Sequence, residues 1–238
     1  MLVGSRTFSG GSRERTFGKA RGFTLIDLLL ALCCLVIIVA VVFVLPLRRP
    51  RGRSKRINCT NNLKQVGLAF KVWSLDNQDR YPMEVLVTNG GTMELVNSGA
   101  VWVHFRVLSN ELNTPKVLSC PADAARSNSV ATTFAAATQP GQIPFTNENN
   151  VSYFIGVDAV DTNATMFLSG DRNLTNALHG TRRLVNFPTN QPAGWTHQLH
   201  GLQGNIGLAE GSVQQTTTSR LRAALIDTGV ATNRLAIP

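Results

Sequence analysis

The sequence predicts an α+β protein with an N-terminal transmembrane helix and a second, amphipathic helix packed on an antiparallel β-sheet. Three observations predict it. The 25-residue run 23–47 contains only two polar residues. Apolar residues then recur at helical spacing from Ser54 to about Asn77. Beyond Pro82, short β-prone runs alternate with Gly, Asn and Pro clusters, which is typical of strands joined by turns.

The apolar run is long enough to span a bilayer. As a helix it would be about 37 Å long, against a hydrocarbon core of roughly 30 Å. A cleaved secretory signal is the weaker alternative, because its apolar region has about 7–15 residues and a small-residue cleavage site follows it. Residues 45–48, Leu-Pro-Leu-Arg, offer no such site.

The excess basic charge lies in two segments that flank this run. Residues 1–22 hold five basic residues and one acidic residue, and residues 48–56 hold six basic residues and no acidic one. From residue 57 onwards twelve basic and twelve acidic residues balance, although the whole chain has a net charge of +9. This pattern predicts contact with a membrane surface, and no direct binding of nucleic acid is expected. Because both flanks are basic, charge alone leaves the orientation of the span open.

Composition therefore divides the chain into four parts. Pro46, Pro50 and Gly52 interrupt the chain beside the second basic segment, so an unbroken helix is not expected there. The parts are a basic leader, 1–22, a transmembrane helix, 23–47, a basic juxtamembrane linker, 48–56, and an α+β head, 57–238.

The head is expected to be built mostly from short strands and turns. A surface loop is predicted over 132–144, and a hairpin over 205–214, in which Gly211 supplies the positive φ of the turn. A short amphipathic helix is predicted from Ser219 to about Asp227, ended by Gly229. Strands are predicted over 85–87, 101–105, 117–120, 151–155 and 166–168.

The four cysteines divide into two pairs. Cys33 and Cys34 lie in the apolar run, where free cysteine behaves as a small hydrophobe. Cys59 and Cys120 lie in the head, where two cysteines are too few for a zinc site and no nearby histidine spacing completes one. If the head lies outside the cytoplasm, a disulfide between them is expected; two unpaired buried thiols are the alternative.

The residues Gly22-Phe23-Thr24-Leu25-Ile26-Asp27 follow a basic leader and open the apolar run. They resemble the type IV prepilin signature, a family that includes type IV pilins and the pseudopilins of type II secretion. The resemblance implies cleavage between Gly22 and Phe23 by a prepilin peptidase, and N-methylation of Phe23. It assigns Asp27 to the position that acts in assembly, where the family usually has Glu.

Further blocks of the chain resemble a pseudopilin-like subfamily that is abundant in Planctomycetes and Verrucomicrobia. That subfamily also carries His, nine residues, then Asp-Gly, and here His200 is followed after nine residues by Glu210-Gly211. The blocks extend the resemblance over most of the chain. They are 58–69 (NCTNNLKQVGLA), 118–123 (LSCPAD), 152–158 (SYFIGVD) and 170–173 (GDRN).

The resemblance implies a pilin-like fold and a structural role as a pseudopilin subunit of a type II secretion or type IV pilus-like filament. The expected partners are the prepilin peptidase, other pseudopilin subunits, a secretion assembly platform and the inner membrane. The expected topology is a single pass through the inner (cytoplasmic) membrane, with a cytoplasmic N-terminus and a periplasmic or extracellular head. No enzymatic activity, cofactor or metal is expected, because no nucleophile, zinc or phosphate-loop motif is found.

Cleavage after Gly22 would create an α-amino group four residues before Asp27, on the same face of the helix. The amine and the carboxylate could pair within a subunit or between neighbours, which favours assembly because an unpaired charge in a membrane is costly. The alternative is that Asp27 merely caps the helix, whose N-terminus favours negative charge.

The residues of the head leave a rival function open, a membrane-anchored periplasmic domain that binds a ligand and never polymerises. His200 and Glu210 are the two polar residues of the head that invite a metal assignment. They are expected to serve turn formation and hydrogen bonding rather than metal binding.

Overall fold

The computed structural model describes residues 22–44, 51–176 and 183–238. The chain divides after Arg49 into two compact units. The first contains helix α1, Leu25–Val44, and the second contains every other helix and strand described below. The α+β class is confirmed, since an antiparallel sheet and further helices follow the apolar helix.

Helix α1 is apolar on all sides. Its window Leu25–Val42 has a mean hydropathy of 3.2, and none of it is buried. By length and composition it can cross a membrane, so it is a candidate anchor. Residues 45–47, the end of the predicted span, lie outside the described residues.

Helix α2, Arg51–Leu75, begins three residues earlier than predicted. Residues 51–56, predicted as a linker, are therefore helical; residues 48–50 lie outside the described part. The buried face of α2 carries Cys59, Leu63, Val66 and Phe70 at the spacing of one helical face.

Three of the predicted strands are wrong. The run 101–105 is helical, because Val101, His104 and Phe105 recur at helical spacing and are buried on one side of helix α3, Val101–Arg106. The runs 85–87 and 117–120 lie in 3-10 turns and loops. A short apolar run cannot be assigned to strand or helix from its periodicity alone.

Irregular structure fills most of the chain between α2 and the first strand. Besides α3, this part holds one short helix, α4, Ser109–Leu112. The segment 132–144 forms a loop as predicted, with an isolated bridge between Thr133 and Pro144. The 3-10 turns are Pro82–Glu84, Val87–Asn89, Met93–Ser98, Pro115–Leu118, Ala124–Ser129 and Glu148–Asn150.

Six antiparallel strands form the main sheet in the order β4-β8-β1-β2-β6-β7, and β3 pairs with β5 separately. Strands β1, β2 and the β6–β7 hairpin were predicted, whereas the other four were missed. Helix α5, Thr218–Asp227, confirms the predicted C-terminal helix. The strands are Tyr153–Gly156 (β1), Phe167–Asp171 (β2), Leu174–Asn176 (β3), Leu184–Pro188 (β4), Ala193–Trp195 (β5), Gln203–Leu208 (β6), Val213–Thr217 (β7) and Thr232–Ala236 (β8).

Both faces of the main sheet are covered. Along β1, Tyr153 and Ile155 belong to the apolar cluster that contains the buried residues of α2. Phe154, between them, belongs to a second cluster with Leu221 and Leu225 of α5. Because successive side chains of a strand point to opposite faces, α2 and α5 cover the sheet from opposite sides.

We expect His104 to make the stability of the head depend on pH. His104 is fully buried, its Nδ1 lies 2.7 Å from Thr92 Oγ1, and burial lowers its pKa to about 4. The unfolded chain binds a proton near pH 6.5, so the free energy of unfolding should fall by up to about 3 kcal/mol as the pH drops from 6.5 to 4. Urea unfolding of the full chain in detergent, at several pH values, measures this loss.

The matched variant is His104→Gln, which removes the titrating group and keeps a polar side chain. Its free energy of unfolding should fall less between pH 6.5 and pH 4 than that of the unmodified chain. Identical losses in the two proteins would contradict the assignment to His104.

Candidate functional site

The start of α1 holds a reciprocal pair of hydrogen bonds between Thr24 and Asp27. Asp27 Oδ2 accepts from the Thr24 backbone N–H at 3.0 Å and from Thr24 Oγ1 at 2.9 Å. The backbone N–H of Asp27 in turn donates to Thr24 Oγ1 at 3.3 Å. Thr24 therefore occupies the N-cap position and Asp27 the third helical position of a capping box. The carboxylate is therefore satisfied within the first turn of its own helix.

The described side chains of α1 leave a large apolar surface uncovered. Phe23 is 90 % exposed, and the Leu, Ile and Val residues from Leu25 to Val42 are between 47 % and 79 % exposed. Soluble proteins rarely expose a contiguous apolar surface of this size, which is consistent with a candidate membrane anchor. Asp27 is the only charged residue of this helix.

In the head, the sequence blocks converge at the disulfide. The structure joins Cys59 of α2 to Cys120, with the two Cα atoms 5.0 Å apart and both residues buried. The bridge closes a loop across a separation of 61 residues, which limits the unfolded chain and contributes about 4 kcal/mol to stability in the chain-entropy model.

His200 lies against this disulfide although it is 80 residues from Cys120. Its Nε2 is 3.5 Å from Cys120 Sγ and 3.4 Å from Asp171 Oδ2, and only 2 % of its side chain is exposed. Burial, reinforced by the positive charge of Arg56, lowers the pKa of His200 to about 4. The imidazole is therefore neutral at neutral pH. We name Cys59, Cys120, Asp171 and His200 the disulfide cluster.

Asp171 is the fully buried carboxylate of the disulfide cluster. Its Oδ2 accepts from the backbone N–H of Asn205 at 2.7 Å and from Asn205 Nδ2 at 2.8 Å. Its Oδ1 has no hydrogen-bond partner among the described residues. Burial raises the pKa of Asp171 to about 7, although the hydrogen bonds of Asn205 and the charge of Arg56 oppose the rise.

A strained loop holds His200 in this position. Leu199, Gly201 and Leu202 have φ angles of 60°, 59° and 58°, in a region that leucine rarely adopts. Asn173 Nδ2 lies within hydrogen-bond distance of three carbonyls of this segment, those of residues 196, 198 and 203, at 3.0–3.2 Å. Such strain persists only where surrounding contacts enforce it.

A second polar cluster surrounds Asp123 and joins three of the blocks, 118–123, 152–158 and 170–173. Asp123 accepts from Arg172 Nε at 2.7 Å, from Arg172 Nη2 at 2.8 Å and from Ser152 Oγ at 2.9 Å. Burial alone would raise the pKa of Asp123, but the hydrogen bonds and charge of Arg172 lower it below its ordinary value. This buried ion pair fixes the segment after Cys120 against the ends of β1 and β2.

Glu210 and Gly211 form the turn of the β6–β7 hairpin, as predicted. Gly211 has a φ of 90°, and Glu210 Oε1 accepts from Ser212 Oγ at 2.6 Å. The turn packs on α2, since a Cβ atom added to Gly67 would lie 3.4 Å from Gly211 Cα. Among the described residues no hydrogen bond or ion pair joins Glu210 to His200, because β6 separates them.

The structure therefore brings together residues of four blocks, 58–69, 118–123, 152–158 and 170–173, with His200. Sequence reasoning missed the roles of Asp171 and Asn205. The position of Asp171 in the block 170–173 was the one sequence signal for its role. No sequence pattern connected Asn205 or Arg56 to the disulfide cluster. Gly22 and Phe23 lie just before α1, and Asp27 lies in its first turn, in the other unit.

We expect the buried Asp123–Arg172 pair to contribute more to stability than a more exposed pair of the same kind. Arg172→Gln removes the cation that makes both short contacts with a buried carboxylate and leaves only Arg126, whose Nε lies 3.8 Å from Asp123 Oδ2. It should lower the free energy of unfolding by up to about 3–5 kcal/mol. The matched control is Arg234→Gln, which removes a cation from Asp158 in a pair whose side chains are 39 % and 34 % exposed and should cost less than about 1 kcal/mol. Urea unfolding of both variants measures the difference, and equal losses would contradict the assignment.

Comparison with known proteins gives no match: no family model, no curated protein and no solved structure matches the chain. The choice of function therefore depends on the residues of this chain. Two arrangements bear on it: the capped carboxylate that opens an exposed apolar helix, and the polar clusters in the head.

Proposed function

We propose that this chain is a pseudopilin, a structural subunit of a type II secretion or type IV pilus-like filament. The observation that carries the proposal is the motif Gly22–Asp27 at the start of a helix that is apolar on every side. A bare membrane anchor does not need a carboxylate at this position. A subunit that must align its helix with other helices does need such a group. The head is then the pilin-like part that projects from the filament.

The contacts of Asp27 are compatible with a change of partner on processing. Cleavage between Gly22 and Phe23 turns the N–H of Phe23 into a free amine, four residues before Asp27. Among the described residues, both hydrogen bonds to the carboxylate end on Oδ2. Oδ1 is thus available to an amine, either of the same subunit or of a neighbour in the filament.

The proposed topology has the N-terminus in the cytoplasm and the head outside the inner membrane. The Cys59–Cys120 disulfide supports it, because disulfides persist in oxidising compartments. The basic segment 48–56 opposes it by charge alone, but long domains are translocated largely regardless of flanking charge. The proposed partners are a prepilin peptidase, other subunits of the filament and its assembly platform.

The N-terminal residue of the purified protein tests whether the chain is cleaved after Gly22. Mass spectrometry of the purified chain should find a protein that begins with N-methylated Phe23. Gly22→Leu should abolish this processing, because the peptidase subsite admits no side chain at that position. An intact leader in the unmodified chain would overturn the proposal and favour the membrane-anchored domain that does not polymerise.

Variants at Asp27 and Thr24 separate assembly from helix capping. Asp27→Ala should be cleaved normally but fail to enter filaments, whereas Asp27→Glu should enter them. Thr24→Val removes the cap, removes only about 1 kcal/mol of helix stability and keeps the carboxylate, so it should still assemble. Sheared filament fractions, quantified by immunoblotting, measure incorporation. Normal incorporation of Asp27→Ala, or equal failure of Thr24→Val, would contradict a pairing role for Asp27.

A further inference from the structure

We propose that reduction of the Cys59–Cys120 disulfide converts the disulfide cluster into a binding site for one Zn²⁺ ion. The ligands would be the two cysteine sulfurs, His200 Nε2 and a carboxylate oxygen of Asp171. The proposal concerns the head alone and is independent of the function proposed above. It also changes the sequence-based expectation, since the histidine that completes the set lies 80 residues from Cys120.

The distances among the two cysteines and His200 suit a shared zinc ion, and Asp171 lies beside this group, against His200. Zinc ligands lie about 2.0–2.3 Å from the metal, and therefore roughly 3.3–3.8 Å from one another. In the structure, His200 Nε2 is 3.5 Å from Cys120 Sγ and 3.4 Å from Asp171 Oδ2. The two sulfurs and the imidazole nitrogen all lie within 4.8 Å of one another. Once the S–S bond is broken, the two sulfurs would have to move apart to reach the same spacing.

Two candidate ligand atoms of the oxidised cluster, His200 Nε2 and Asp171 Oδ1, are poorly satisfied. Both contacts of His200 Nε2 are longer than the roughly 2.9 Å of a good hydrogen bond. Asp171 Oδ1 is buried and has no partner among the described residues. A buried histidine that served packing alone would be expected to have one well-formed hydrogen bond. The mutual arrangement fits a shared cation better than it fits a hydrogen-bond network.

The surrounding residues would support the ligands. Asn205 fixes the carboxylate of Asp171 through two hydrogen bonds, and Asn173 fixes the strained loop that carries His200. Arg56 of α2 hydrogen-bonds the Gln203 side chain and the Gly204 carbonyl, next to Asn205. Its positive charge would offset the net negative charge of zinc bound by two thiolates and one carboxylate.

The redox step balances with a dithiol as the reductant. The dithiol gives two electrons to the S–S bond, which breaks, and the dithiol closes into a disulfide while its two protons pass to Cys59 and Cys120. Zn²⁺ binding then releases these two protons to solvent, because thiolates are the ligands. A small-molecule disulfide reverses the sequence: it accepts the two electrons and becomes a dithiol, the metal leaves, and the Cys59–Cys120 bond forms again.

Metal titration of the reduced full chain in detergent tests the proposal. The disulfide is reduced with a phosphine under argon, and Co²⁺ is added as a spectroscopic probe, followed by displacement with Zn²⁺. We expect one equivalent of Co²⁺ to bind, with thiolate charge-transfer absorption and the visible bands of tetrahedral cobalt. The oxidised chain should show neither signal.

Ligand variants decide which residues bind. His200→Gln and Asp171→Asn should each weaken Zn²⁺ binding by at least about tenfold, the loss typical even of residues that only support a ligand. His197→Gln is the matched control, because His197 lies in the same segment but is exposed, and its affinity should equal that of the unmodified chain. Equal affinity for His200→Gln, or the absence of one-to-one binding, would overturn the proposal.

If reduction unfolds the head, circular dichroism can still test the proposal by measuring whether Zn²⁺ restores the fold. Zn²⁺ should then restore the near-ultraviolet signal, because binding stabilises the folded state. If the reduced chain stays unfolded in the presence of Zn²⁺, or binds it without the tetrahedral cobalt spectrum, the proposal fails.

Discussion

The fold of the head depends on one constraint: apolar residues on both faces of its six-stranded sheet must be covered. Successive residues of β1, such as Tyr153 and Phe154, are fully buried on opposite faces, so neither face can be left to water. Helix α2 covers one face through Leu63, Val66 and their neighbours, and α5 covers the other. The polar clusters lie at the edge of this arrangement, where α2 meets the ends of β1 and β2. Their burial is therefore a consequence of how the apolar layers close.

The disulfide and the Asp123–Arg172 pair hold the same part of the chain, one by a covalent bond and the other by a buried ion pair. The long irregular region between α2 and β1 contributes no strand to the main sheet, so the ladder hydrogen bonds of that sheet do not hold it. Cys120 bonds it covalently to α2, and Asp123, three residues later, pairs with Arg172 at the end of β2. After reduction, the apolar core and the Asp123–Arg172 pair would still hold this region, but its direct bond to α2 would be lost. A metal that linked Cys59 and Cys120 again would replace that bond.

The sequence was informative where a long pattern or a turn residue determined the structure. The apolar run, the stripe of α2 and the turn at Gly211 could all be predicted from local rules. The secondary structure of the run 101–105 could not be predicted in this way, because its mainly apolar and aromatic residues are compatible with both a strand and a buried helix. Only contacts with the rest of the head decide between the two. The proximity of His200 and Cys120 could not be predicted from the sequence either, since it depends on how β2 and β6 pair. Local rules thus predicted elements, and tertiary contacts produced the site.

The position of Asp27 can serve two purposes in succession. A carboxylate in an apolar helix is costly unless hydrogen bonds or an opposite charge stabilise it. The cap formed by Thr24 supplies those bonds, so the charge destabilises the helix little. If the chain is cleaved after Gly22 as proposed, an amine one turn away would add a Coulombic partner. Capping and pairing are therefore not exclusive, and the cap explains how a carboxylate proposed to act in assembly can be tolerated before cleavage.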